Sequence, residues 1–428
     1  MKNLIRKYIA VNCSLAVISG LKMPIFYLVL LDKNFDLLQI GVLTSIAAIS
    51  TVVFQVPFGS LADIIGRKKV FLLGQLATIF YLVVLLSARF EWIAFSMFLT
   101  GVSRALISGS LDALFVEQYN QIATFEERHL FMSAQSKIFS ASAIGLGFST
   151  AIAGFIPMWF SSFTEINIHI GYYDMNFILM LILTCLHILF TSLLIKESTM
   201  VKLYEKKSYA TLGIDRLIEM KNFIIASLKF VRCSPLILAL FLLQFVNGAT
   251  FMSLNNLWQP RLAELVSIKN EIWLFGLLSS LSFFSMAIGQ RLASRISAFF
   301  KDDYAIMLLV IQGVMGLCFI FLGNVKEVVL FYLFYMAILM LTGLSMAPLL
   351  TVFHKNIEEN SRSTLLSVQS ICNQAGATGG ALAGGFIAAH YGIASAWLVM
   401  AIMLLASCTI YLQPEMRKNF KEMAMNKN

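Results

Sequence analysis

Apolar runs of about a span's length, separated by short polar breaks, recur along almost the whole chain. A helix that crosses a bilayer needs roughly 20 mainly apolar residues. Counting such runs predicts twelve spans, at about 8–30, 37–60, 70–88, 92–117, 133–157, 175–195, 235–258, 272–292, 304–322, 328–350, 364–389 and 394–412. Turn-forming and charged residues mark the gaps, as in Asp32-Lys33-Asn34, Arg89-Phe90-Glu91 and Lys301-Asp302-Asp303. The longest polar segment, Lys196 to Arg232, holds eight basic and four acidic residues and falls after the sixth run. The pattern predicts an all-α membrane protein of two six-helix bundles, residues 1–195 and 233–412, with a linker at 196–232 and a tail at 413–428. Within the linker, Leu212, Leu217, Phe223 and Leu228 alternate with charges, which suits either amphipathic helices on the membrane surface or a solvated connection.

Composition agrees with a lipid environment. Hydrophobic residues make up 59%, charged residues 13%, and the mean hydropathy is +0.80; a soluble globular chain carries about twice that charged fraction. The formal net charge of +9 would suit nucleic acid, but its placement argues for topology instead. With both termini cytoplasmic, the inner segments hold 25 Lys and Arg and the outer loops hold 5, with Lys22 and Arg104 left inside spans. Six cysteines lie in or beside apolar runs without paired spacing, and five histidines are scattered, so neither disulfides nor a metal site is expected. The basic, then apolar, N-terminus resembles a signal sequence but is followed by no small-residue cleavage site, and is read as a retained first span.

The two halves echo one another. Leu99-Thr100-Gly101-Val102-Ser103-Arg104-Ala105 matches Leu341-Thr342-Gly343-Leu344-Ser345-Met346-Ala347 at an offset of 242. Arg128 with Ser133-Ala134-Gln135-Ser136 matches Arg362 with Ser367-Val368-Gln369-Ser370 at 234, and Ile40-Gly41-Val42-Leu43-Thr44-Ser45 matches Phe275-Gly276-Leu277-Leu278-Ser279-Ser280 at 235. Three matches in one order at nearly one spacing imply parallel repeats, an architecture that binds its substrate near the bilayer midplane between halves.

Between the second and third runs lies Gly59-Ser60-Leu61-Ala62-Asp63-Ile64-Ile65-Gly66-Arg67-Lys68-Lys69. Asp63 and Arg67 stand one helical turn apart and can pair with each other or with a neighbouring helix, as a latch made and broken by helix motion. Gly59 and Gly66 allow close approach or a turn. This stretch resembles the signature loop of the major facilitator superfamily, Gly-x-Leu-Ala-Asp-x-x-Gly-Arg-Lys, at Gly59, Leu61, Ala62, Asp63, Gly66, Arg67 and Lys68. The resemblance implies a twelve-helix secondary transporter of the bacterial cytoplasmic (inner) membrane, monomeric, exporter-like and working by rocking of its halves. It places Glu117 where superfamily members carry the acid that joins the loop's Asp and Arg, which makes Asp63, Arg67 and Glu117 a charge relay. In the second half, Gly289-Gln290-Arg291-Leu292-Ala293-Ser294-Arg295 keeps the basic charge and loses the acid.

Several buried polar positions are candidates for coupling or substrate binding. Arg104 sits mid-span, where a charge costs at least about 2.5–3.5 kcal/mol on insertion scales. The resemblance associates a span-four arginine with proton coupling in antiporters, although the downstream Ile107-Ser108-Gly109 departs from the usual Gln-Gly; an arginine satisfying carbonyls is the other reading. Lys22, two residues before the helix-breaking Pro24, either contacts substrate or snorkels outward. Asp112, two helical turns from Arg104 on roughly one face, is either a proton site or a second relay member. Gln55 replaces the acid of a Glu-x-Pro element found in related members. In the second half the polar candidates are Gln244, Asn247, Asn255, Asn256, Asn373 and Gln374, for which interhelical hydrogen bonding is the alternative role. Glycines in span eleven, beginning at Gly376, are expected to slide against span two near Gly59.

With Lys22 and Arg104 as the deep cations, the first half should be electropositive and favour an anionic substrate. The expected partners are a small molecule, protons and the lipid bilayer, with no nucleic acid and no cofactor. No nucleotide-binding Gly-x-x-x-x-Gly-Lys-Ser/Thr loop occurs, which excludes an ATP-driven pump within this chain. An importer of the same fold is the nearest rival; a membrane enzyme or sensor would need paired catalytic groups on facing spans, and the sequence offers none.

Overall fold

The computed structural model describes residues 2–87, 89–108, 110–122, 131–161, 171–196, 235–266, 268–301, 303–355 and 362–413, with some side chains inside those helices, Asp63 among them, excepted. Most of the expected linker, from 197 onward, and the tail from 414 onward lie outside the described residues. The rest is helical: α1 (Lys2–Gly20), α2 (Phe26–Asp32), α3 (Leu37–Ile65), α4 (Arg67–Leu85), α5 (Phe90–Ile107), α6 (Ser110–Ile122), α7 (Phe131–Ala153), α8 (Ile156–Trp159), α9 (Asp174–Leu194), α10 (Pro235–Leu265), α11 (Ile268–Phe299), α12 (Tyr304–Asn324), α13 (Val328–Lys355), α14 (Arg362–Tyr391) and α15 (Ile393–Leu412). No strand occurs among the described residues. Hydrocarbon offers backbone groups no partners, so a spanning segment of this composition satisfies them internally as helix.

Among the described residues, nine helical stretches are long and apolar enough to cross a membrane. Three expected spans are absent from that set, each for a physical reason. The first is divided into α1 and α2, and α1 begins before the expected span and adds Lys2, Arg6 and Lys7. The fifth and eleventh, α7 and α14, are diluted by Ser, Ala and Gly, which lowers hydropathy while permitting close helix packing. Helix ends follow local chemistry. Gly66, at φ 104°, separates α3 from α4 and Gly392, at φ 85°, separates α14 from α15, conformations open to glycine without a Cβ penalty. Asp303 caps α12, its Oδ1 accepting from the Ile306 N–H at 3.2 Å.

The chain forms two compact units. Unit one comprises Met1–Asn34, Ile46–Met220 and Lys269–Ser280; unit two comprises Phe35–Ser45, Lys221–Ile268 and Leu281–Asn428. In unit one, Tyr8, Val11, Phe71, Leu114, Phe115 and Tyr119 build a core among α1, α4 and α6. In unit two, Leu243, Met307, Leu308, Ile311 and Tyr411 join α10, α12 and α15. The large exposed side chains, among them Phe80, Phe148, Leu193 and Leu333, form the apolar exterior that a lipid solvent requires.

The sequence repeats reappear as equivalent packing. In unit one, Gly101 of α5 lies against Ser50 and the Ala47 carbonyl of α3; in unit two, its repeat-mate Gly343 of α13 lies against the Met286 carbonyl of α11. Gly41 of α3 meets Ala381 and Gly385 of α14 in unit two. Its mate Gly276 of α11 meets α7 in unit one, where an added Cβ would stand 2.7 Å from the Ala151 carbonyl oxygen and 2.8 Å from the Gly154 nitrogen. Only a residue without a side chain permits these backbone approaches.

Candidate functional site

The site in unit one grows from the interruption of the first span. After Gly20 the chain turns through residues 21–25 before α2 begins, around Pro24, whose missing N–H cannot continue the helical ladder. The break is held from α9: Asn176 Nδ2 donates to the Leu21 carbonyl and to the Ala153 carbonyl, each at 2.9 Å. Gly20 packs against Ser149 and the Leu146 carbonyl of α7.

Lys22 sits inside this break. Its Nζ donates to Tyr81 Oη at 3.2 Å and lies 5.1 Å from the Tyr81 ring centroid, so the ammonium is held on an aromatic face by both hydrogen bonding and cation–π attraction. Lys22 is thus held against α4. Tyr81 is 4% exposed, and its carbonyl accepts from Ser96 Oγ of α5 at 2.8 Å. Two further contacts fix α4 against α5: Thr78 Oγ1 and Ser103 Oγ lie 2.7 Å apart, and Ser103 Oγ donates to the Gly74 carbonyl at 3.0 Å.

Arg104 follows Ser103 on α5. At helical spacing it shares a face with Ile93, Met97 and Gly101, all buried, and points away from Phe95, which is 46% exposed. Arg104 is nonetheless exposed. Its side chain is thus accessible on a face of α5 whose neighbouring positions are buried. Among the described residues neither Lys22 nor Arg104 has a carboxylate within ion-pair distance.

The expected relay is placed at the junction of α3 and α4. Arg67 Nε and Glu117 Oε1 lie 3.0 Å apart, with side chains 24% and 51% exposed. Lys68 Nζ donates to the Ser192 carbonyl of α9 at 2.9 Å, and Gly66 makes the turn that starts α4. The Asp63 side chain lies outside the described ones.

Two expectations are corrected here. Among the described residues nothing lies within 4 Å of where a Gly59 Cβ would stand, so they make no close helix approach there. The α3–α14 contact is made at Gly41, about five turns from Gly59. Second, Arg104 and Asp112 do not share one helical face. Ser108, at ψ 124°, ends α5, and Asp112 belongs to the first turn of α6. Asp112 is exposed.

In unit two the polar candidates separate. Asn256 Nδ2 donates to Thr44 Oγ1 at 2.9 Å, and Asn373 Nδ2 to the Gln244 carbonyl at 3.2 Å, so both make interhelical hydrogen bonds. Asn247 and Gln374 are half-buried, and Gln55, in unit one, is exposed. No group of His, Cys, Asp and Glu among the described residues is arranged to hold a metal.

Sequence reasoning passed over Tyr81, Tyr27, Asn176 and Arg261. Asn176 carried a usable signal, an amide near the start of an otherwise apolar run. The tyrosines carried none, because an aromatic in a membrane helix is ordinary. Arg261 of α10 pairs through Nη1 with Glu264 Oε2 at 2.6 Å and donates through Nη2 to the carbonyls of Gly323, at 3.3 Å, and Val325, at 3.0 Å.

The family model described as Major Facilitator Superfamily matches residues 9–378, with a second match over 274–423. The chain belongs to the major facilitator superfamily. It is thus a multi-pass membrane transporter that handles small molecules, not an enzyme. An uncharacterized MFS-type transporter of Bacillus subtilis (strain 168), YxaM, is 24% identical over 420 residues, covering 96% of each chain. Among solved structures, a point mutant of the nucleoside transporter NupG superposes with a TM-score of 0.73 at 14% identity, over 96% of this chain and 99% of that one. A bacterial homologue of the human lysosomal transporter Spinster, in an inward-facing and occupied conformation, gives 0.72 at 12% identity, over 98% and 97%. At such identities the likeness is one of fold.

Proposed function

We propose that this superfamily member is a secondary active transporter that works by alternating access and exports a small amphiphilic or anionic compound in exchange for protons. The observation that carries the anionic part is the pair of basic side chains, Lys22 and Arg104, on interior faces of unit one without an ion-paired carboxylate among the described residues. Cations retained within membrane helices at a cost of several kcal/mol are a mark of a substrate or ion pathway. Alternating access is supported by the sequence repeats and their equivalent glycine packing, which give each half a similar framework. The absence of a nucleotide-binding loop from the sequence favours an ion gradient as the energy source. Export and proton exchange rest on the exporter-like signature loop and on the span-four arginine. We place the protein in the cytoplasmic membrane as a monomer of twelve spans with both termini inside, following the distribution of basic residues.

The test compares small molecules inside and outside cells that lack the protein, carry it, or carry Asp63→Asn. Accumulation inside the deleted cells, relieved by the intact protein alone, supports export and identifies the compound class. Depletion inside those cells, with the compound left in the medium, makes it an importer and overturns the direction. Transport that remains normal in a well-expressed Asp63→Asn variant removes the latch.

A further inference from the structure

The second half keeps basic charge where the first has its signature loop but loses the acid, and α11 shows what that leaves. The part of α11 from Leu281 onward belongs to unit two. One side of it is packed: Gly289 lies against the Met340 carbonyl of α13, Ala293 is buried, and Ile296 rests on the unit-two core. The other side carries an exposed stripe at helical spacing, made of Leu281, Phe284, Ile288, Arg291, Arg295 and Phe299. Arg291 and Arg295 stand one turn apart and, with Ile288, Leu292 and Ser294, line a hollow of about 320 Å³. Arg67 has Glu117, but neither Arg291 nor Arg295 has an ion pair among the described residues. The nearest described acid along the chain, Asp303, is committed to the cap of α12. Each guanidinium presents N–H donors and no acceptor, and two of them one turn apart repel until an anion joins them.

The apolar part of the stripe says which anion. Leu281, Phe284 and Ile288 are each 44–53% exposed. From Leu281 to Arg291 the helix rises about 15 Å, half of a hydrocarbon core of roughly 30 Å. The stripe thus offers an acyl chain the depth of one leaflet and sets two cations where that leaflet's headgroups begin. We propose that Arg291 and Arg295 form a headgroup site for an anionic phospholipid, its phosphate between the two guanidiniums and one acyl chain along Ile288, Phe284 and Leu281. Planar arginine forks match phosphate oxygens, and basic pockets at the membrane surface favour lipids of net negative charge. A zwitterionic lipid brings its own ammonium to the same pocket and is held less well. A free phosphate fills the charged end and leaves the apolar stripe without a partner. The site goes beyond the transport reading and needs only the membrane setting; by the topology proposed above, its lipid comes from the cytoplasmic leaflet.

The experiment uses the full chain in nanodiscs of phosphatidylcholine with and without phosphatidylglycerol. Lipids retained by the protein are counted by native mass spectrometry, and Tm is measured alongside. The wild type retains phosphatidylglycerol in preference to phosphatidylcholine and gains Tm in its presence. Arg291→Gln and Arg295→Gln each lower that preference by about fivefold, and together by about twentyfold. Lys2→Gln/Lys326→Gln, which removes as much charge from exposed positions elsewhere, leaves it unchanged. Inorganic phosphate and glycerol 3-phosphate neither stabilise the wild type nor displace the lipid. The proposal is overturned if the wild type shows no preference for phosphatidylglycerol, if the double arginine variant keeps it, or if the control double variant loses as much. Displacement by free phosphate also overturns it, making the pair a site for a soluble anion. The wild-type comparison decides even where a variant fails to fold. No arm measures transport, so the site and the export reading stand or fall separately.

Discussion

Arg104 and Arg261 are the same side chain in two helices of one protein, with opposite surroundings. Arg261 is engaged through both terminal nitrogens: one carboxylate and two backbone carbonyls take their protons, while its buried Nε has no partner among the described residues, and those carbonyls stand at the end of α12 and just beyond it, where the helix leaves acceptors unpaired. Arg104 makes no ion pair among the described residues and is exposed on a helix face that is otherwise buried. A charge satisfied within the fold stabilises the fold. A charge left unsatisfied points to a partner from outside it, and the repeat makes the point sharper, since Met346 stands where Arg104's counterpart would be.

The comparison can be broken most severely at Arg104. Arg104→Ala is expected to lower the transport rate in cells by at least about tenfold, the cost of a lost charge-assisted contact, with normal amounts of folded protein, while Arg104→Lys keeps part of the rate. Wild-type rates in both variants would make Arg104 structural. The next largest effect concerns stability. Gly276→Leu forces a side chain into the Ala151 carbonyl and should cost about 1–3 kcal/mol, visible as a lowered Tm, whereas Gly59→Ala should leave Tm unchanged because no atom of the described residues lies within 4 Å. Arg261→Ala should also lower Tm, by about 1–2 kcal/mol in stability for the unpaired carbonyls, with transport per folded molecule retained; a large fall in that specific rate would end the contrast with Arg104. Smallest in stability is Glu117→Gln. Its partly exposed pair with Arg67 is worth about 1 kcal/mol or less, so any clear change should show in transport and not in Tm.

The fold was legible because its physics is written in composition and length: runs of about twenty apolar residues have few structures open to them in lipid. The signature loop was legible as well, since its residues fall at one chain junction, and the structure brings Arg67 and Glu117 to 3.0 Å. The repeat matches pointed to Gly41, Gly101, Gly276 and Gly343 before their contacts were known. What the sequence concealed depends on helices that stop short of their apolar run. Treating the fourth span as continuous put Arg104 and Asp112 on one face, and the break at Ser108 undoes that geometry. Likewise Pro24 signalled a bend but not its depth, so neither Tyr81 as the anchor of Lys22 nor Asn176 as the prop of the break could be read. Such partners lie 59 and 155 residues away along the chain, beyond any local pattern.

That long reach has a consequence for how the protein is made. The first span is interrupted and basic, and its Leu21 carbonyl is answered by an amide that the ribosome adds 155 residues later. Until α9 enters the membrane, the opening segment holds a broken turn and a lysine with part of its support missing, a condition that lipid alone cannot repair. The turn after Gly20 is thus made well before it can reach its final form, and a nascent chain ending before Asn176 lacks the prop of that turn.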